Sequence, residues 1–182
     1  MIDYKNFPEI KPGKKILKRL YISVMLFVVG RAIAAAAKVD GEVKKEFEQL
    51  RGDFVLGMGI IPNGPYMVVG KDAKGRVKYM GGDPKGKKLT LKMGIRSVES
   101  AILVFTFQES TAAASVHQRF VVDGDMVDGM AILRIFDLVE VYLLPKLVAS
   151  LAVKRYPKWS EMSPVRKHVN RVLVYARTIL GV

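Results

Sequence analysis

The sequence contains no cysteine. That excludes a disulfide framework, thiolate metal sites and a cysteine nucleophile, and it fits a reducing, cytoplasmic setting. Histidine is almost as scarce. His117 and His168 stand far apart, and neither falls in a metal-ligand spacing. No serine sits in a Gly-x-Ser-x-Gly elbow, so no nucleophile–base pairing is visible and the chain is expected not to be an enzyme. Acids are lacking toward the end: residues 146–182 hold eight lysines and arginines but a single acid, Glu161. A long unbroken apolar run is also missing, because Arg31 interrupts Leu20–Ala37.

What is present is a chain of 182 residues, half of them hydrophobic, with a net charge of +13. This is enough to bury a sizeable core without a metal or disulfide staple. The charge sits at the ends. Residues 53–145 are nearly neutral, whereas residues 1–52 and 146–182 are basic. Basic ends attract an anionic surface, either phospholipid or nucleic acid. Only Tyr156, Trp159 and Tyr175 interleave with the C-terminal cations, so base stacking is disfavoured and a membrane surface is expected. The residues assigned to it are Lys14, Lys15, Lys18, Arg19, Arg166, Lys167, Arg171 and Arg177.

The chain is read as three parts: an arm and helix over 1–37, a domain over 38–145, bounded by the family resemblance given below, and a helical extension over 146–182. Residues 14–37 read as a packed or membrane-surface helix, with a signal peptide or a membrane span as the open alternatives. Val43, Phe47 and Leu50 recur at helical spacing among charges. Strands are expected over Phe54–Ile61, Tyr66–Gly70, Arg76–Met80 and Leu89–Met93, separated by turn residues such as Pro62-Asn63-Gly64-Pro65. Four strands at that spacing predict an antiparallel meander. Ser97 is placed to cap a helix, Arg119–Val122 to form a fifth strand and Asp125 to cap a long helix. Ser163-Pro164 opens a last helix whose apolar side is Val165, Val169, Val172, Leu173, Ala176, Ile179 and Leu180.

Three motifs fail their tests. Gly81–Lys87 has the outline of a phosphate loop, but Lys88 replaces the Ser/Thr, Pro84 removes an amide and a strand pattern follows, so it reads as a glycine-rich hairpin turn. Asp123, Asp125 and Asp128 suggest a calcium loop, yet Val127 and Arg134 occupy the positions of the needed glycine and glutamate. His117 reads as structural. No metal or cofactor is expected.

The order of elements resembles the sterol carrier protein 2 domain. The likeness lies in Gly52–Leu56 after a charged helix, in Leu89-Thr90-Leu91 before the Ser97 helix, and in Phe120–Met126 leading to Ala131-Ile132-Leu133. It covers about residues 38–145. The resemblance implies an α+β fold, a five-stranded mainly antiparallel sheet with helices on one face, and a lipid held without chemistry in a tunnel between them. Sheet residues Leu56, Met58, Met67, Val69, Leu89 and Leu91 would line the cavity, roofed by Ile102, Phe105, Met130, Leu133 and Phe136. Flexible methionines suit such a cavity. The alternative is an accessory protein with a filled core, whose extra helices form a homodimer or bind a partner enzyme.

Overall fold

The computed structural model describes residues 15–106, 108–143 and 164–181. Along the chain run α1 (Ile16–Val39), α2 (Gly41–Gln49), β1 (Val55–Ile60), β2 (Tyr66–Lys71), β3 (Val77–Tyr79) and β4 (Leu91–Ile95). There follow α3 (Val98–Phe105), α4 (Thr111–Val116), β5 (Phe120–Gly124), α5 (Met126–Leu143) and α6 (Pro164–Leu180). The class is α+β, as expected.

The sheet order is β3-β2-β1-β4-β5. Three pairings are antiparallel, but β4 lies parallel to β1. The meander therefore stops after three strands. Gly81–Lys87 is not a hairpin turn but part of a crossover, carrying the chain from the β3 edge back to the far side of β1. Thr90 anchors its end, accepting from Val55 N at 2.9 Å and donating to Val55 O at 3.1 Å. Strand β5 runs on through Asp123-Gly124, two residues beyond the expected Arg119–Val122. Gly124 has φ +138° and a Cβ there would stand 2.7 Å from Thr90 O, so only glycine fits.

Register puts Leu56 opposite Val69 and Leu91, and Met58 opposite Met67 and Met93. These six share one face and are all buried. They form one core with residues of α1, α2, α3, α5 and α6, so the helices lie on that face. The opposite face is smoothed by glycines: Leu89 Cδ1 would meet a Cβ on Gly57 at 2.5 Å, and Tyr66 covers Gly59.

Helix α1 is no detached arm. Ile22, Leu26 and Ala32–Ala37 are buried, and Gly30 faces β2 and β3 so closely that a Cβ would stand 2.7 Å from Tyr79 Cδ2. By length and composition α1 could also cross a bilayer, a test that core helices pass too. It ends at Asp40. The Asp40 Oδ1 accepts from Glu42 N at 2.8 Å and Val43 N at 3.0 Å, starting α2. The buried Tyr142 hydroxyl donates to Asp40 Oδ2 at 2.5 Å, tying α5 to the α1–α2 corner. Expected caps are present at Ser97, which accepts from Ser100 N at 3.0 Å, and at Asp125, which accepts from Val127 N at 2.7 Å.

Two substitutions test this frame by urea denaturation. Gly30→Val drives a branched side chain into Tyr79 and is expected to cost about 1–3 kcal/mol. Tyr142→Phe withdraws a donor from a buried carboxylate, with an expected loss of about 1–3 kcal/mol. No change in either case would show that α1 and α5 are not held as described.

Candidate functional site: an apolar cavity beneath the last helix

Between the helices and the sheet lies a cavity of about 380 Å³, within the ~300–1,000 Å³ of small-molecule sites. Helix α1 contributes Met25, Val28 and Val29, a stripe at i, i+3, i+4; β1 contributes Met58 and β5 contributes Phe120. Val104 and Phe105 come from α3; Phe136, Val139, Glu140 and Leu143 from α5; Tyr175, Thr178 and Ile179 from α6. The wall is hydrocarbon and aromatic apart from Glu140, the Tyr175 phenol and the Thr178 hydroxyl. Tyr175 is engaged, donating to Leu143 O at 2.7 Å.

Of the eleven residues inferred from the sequence, Met58, Phe105 and Phe136 line this cavity. Leu56, Met67, Val69 and Leu91 share the correct face of the sheet but are sealed into the packed core. Ile102 and Leu133 pack against that core without reaching the cavity. Leu89 is misplaced, because it precedes β4 and covers Gly57 on the opposite face of the sheet. Met130 is misplaced too: it is 50% exposed, on the outer side of α5. The sequence reading confined the cavity to residues 38–145, and so missed every contribution from α1 and α6. The apolar spacing of Met25, Val28 and Val29 was the available signal.

The basic residues are more committed than an open lipid-facing patch would be. Lys15 and Lys18 pair with Glu99 at 2.6 and 3.8 Å, and the hydrogen bond from Lys15 draws the Glu99 carboxyl below its ordinary range. Arg19 donates to the Asn63 carbonyl. Arg171 donates to Tyr142 O and Val141 O, both at 3.0 Å, and so caps the last carbonyls of α5. Arg177 lines a crevice with Arg31, Lys38 and Lys78. Lys14 and the side chains of Arg166 and Lys167 lie outside the described residues.

Helix α6 keeps most of its described apolar side chains outside the core. Among its described side chains the buried ones are Asn170, Val174 and Thr178, whereas Val169, Val172, Leu173, Ile179 and Leu180 are exposed. The apolar side faces outward. The helix is held instead by Arg171, by Tyr175 and by Arg31, which donates to Ile179 O at 3.3 Å while its guanidinium lies 5.1 Å from the Phe27 ring centre.

Elsewhere the titratable groups pair on the surface. Glu109 takes both Arg119 and His117, and the Arg119 hydrogen bond chiefly lowers its pKa, with His117 second. Asp123 pairs with Lys92 at 2.9 Å. Among the described residues no cluster of three or more His, Asp or Glu side chains is placed to hold a metal.

No protein-family model matches the chain, and no curated protein does. Several solved structures are similar to it, two of them as follows. One is a "UbiJ-SCP2 Ubiquinone synthesis protein", at 14% identity and TM-score 0.40, covering 70% of this chain and 99% of that one. The other is the sterol carrier protein domain 2 of Helicoverpa armigera, at 19% identity and TM-score 0.41, covering 71% and 93%. Both are domains of the kind that the sequence resembles.

The cavity boundary predicts a contrast between two buried methionines. Met67 is packed on all sides and Met58 has the cavity on one side. Both Met→Ala changes should fall in the range of about 2–5 kcal/mol, with Met67→Ala the costlier. Urea denaturation checks the order, and the reverse order would mean that Met58 does not border open space.

Proposed function

We propose that this protein binds a lipid-like apolar ligand in the cavity, leaves it chemically unchanged and exchanges it at an anionic membrane surface. The cavity carries the reading: among the described residues its wall is almost entirely apolar, with no pairing of nucleophile and base. Each methylene buried there contributes about 0.8 kcal/mol, so a chain is held without many polar contacts.

The two sides of α6 support the exchange step. Its inner side closes the cavity with Tyr175 and Thr178, and its outer side presents Val169, Val172 and Leu180. Near the start of α1, Ile16, Leu17 and Leu20 are exposed beside Lys15 and Lys18. Apolar side chains among cations suit insertion at an anionic interface, where each cation near the surface adds about 1 kcal/mol. A helix that enters the interface with its outer side would loosen the roof formed by its inner side. The same exposed side also favours a second reading, an accessory protein whose α6 meets another copy or a partner enzyme.

Native mass spectrometry after gentle purification, followed by lipid extraction, tests the main reading. A stoichiometric apolar ligand is expected. A clean apo mass with no uptake of offered acyl or isoprenoid lipids would overturn it. Sedimentation with phosphatidylserine vesicles tests the surface. Val172→Glu combined with Leu180→Glu changes only exposed positions and should weaken vesicle binding about tenfold or more. A tight oligomer by light scattering, with no vesicle binding, would favour the accessory reading.

A further inference from the structure

We infer that the basic crevice between α1, β3 and the end of α6 binds a phosphomonoester group, carried by a soluble molecule or by a lipid headgroup. The crevice, of about 250 Å³, shares no lining residue with the apolar cavity, so this inference does not rest on the carrier reading. Ala34, Ala35 and Val77 give it an apolar wall. Arg31, Lys38, Lys78 and Arg177 converge on it from three elements, and among the described residues no acid lines it. Lys78 is offset by Asp72 at 3.0 Å. The other three cations have no carboxylate partner among the described residues. Arg31 meets the Ile179 carbonyl and the Phe27 ring, and Gly181, at φ +78°, leaves the space that its guanidinium fills. Both Arg31 and Arg177 are half-buried.

A cation drawn partly out of water with no anion beside it is unfavourable, and like charges converging on one crevice repel. A bound anion relieves both. A phosphomonoester suits the site because it carries about −1.5 to −2 charges at neutral pH, more than a single carboxylate. A guanidinium also matches phosphate oxygens with two parallel hydrogen bonds. Lys38, Val77 and Arg177 line a second recess as well, where Lys44, Lys74 and Arg76 add positive charge against Glu48. The shared wall favours a ligand with more than one phosphate. Recessed between low-dielectric walls, the cations act on such a ligand more strongly than they would on an open surface.

The test is isothermal titration calorimetry of the full chain with inositol 1,4-bisphosphate near neutral pH, with succinate as a competing dicarboxylate. The bisphosphate is expected to bind and succinate to compete poorly. Lys38→Gln and Arg177→Gln should each weaken the bisphosphate about three- to tenfold. Neither side chain is tied to the described fold, so both variants should keep the urea midpoint of the parent. Lys45→Gln removes the same charge beside Glu42, Glu46 and Asp137 and should change nothing. Cosedimentation separates the two sources, using phosphatidylcholine vesicles that hold phosphatidylinositol 4-phosphate or, at matched charge, phosphatidylserine. A preference for the phosphoinositide that Arg177→Gln abolishes assigns the group to a headgroup. Equal vesicle binding, with the bisphosphate still bound, assigns it to a free molecule. If the bisphosphate does not bind, if succinate competes equally, or if Lys45→Gln weakens binding as much as Arg177→Gln, the inference is wrong and the cavity reading stands untouched.

Discussion

The close approach of α1 to the sheet is the constraint on which the remaining architecture depends. A helix normally stands off a sheet by the bulk of its side chains. Here Gly30 lies against Tyr79 and Met67, and the run Ala32–Ala37 keeps the following turns thin. The C-terminal part of α1 is thereby drawn into the core. Its earlier turns carry larger residues, Met25, Val28 and Val29, and the cavity forms beside them. A helix that is small at one end and bulky at the other thus fills the core at one place and borders open space at the next.

The polar ties hold this arrangement by closing helix ends. Asp40 serves the start of α2 and the end of α5 together, one oxygen for the backbone amides and the other for Tyr142. Arg171 and Tyr175 meet the last carbonyls of α5, and Arg31 meets those of α6. Such bonds to carbonyls, those from the arginines being charge-assisted, are directional, unlike apolar packing. They explain how α6 can dock through Asn170, Val174 and Thr178 while its larger apolar residues face outward. A helix held by its ends and by specific bonds does not need its most hydrophobic side against the core. That side is then available to another surface, and the helix becomes a roof with two different faces.

Local signals in the sequence were sufficient for most elements, but not for the short helix α4, whose small residues carry no apolar stripe. Ser97 and Asp125 mark helix starts because a short oxygen-bearing side chain can meet the free amides. Alternation correctly placed Leu56, Met58, Met67, Val69 and Leu91 on one side, since side chains in a strand alternate whatever the sheet does. Composition also placed the charge at the ends and a neutral body between them.

Pairing and depth were decided only by the tertiary structure. Nothing local distinguishes a fourth meander strand from one that crosses over to lie parallel to β1, because both present the same alternation. The same limit separates Met58 from Met67: each is apolar and faces the helices, but only the placement of α1 and α6 leaves space beside one of them. Amphipathicity gave α6 an apolar side and a basic side and left open which of them meets the protein, because periodicity records only that a helix has two sides. Local chemistry therefore determined what each segment is, and contacts between distant segments determined where the cavity lies and which residues face it.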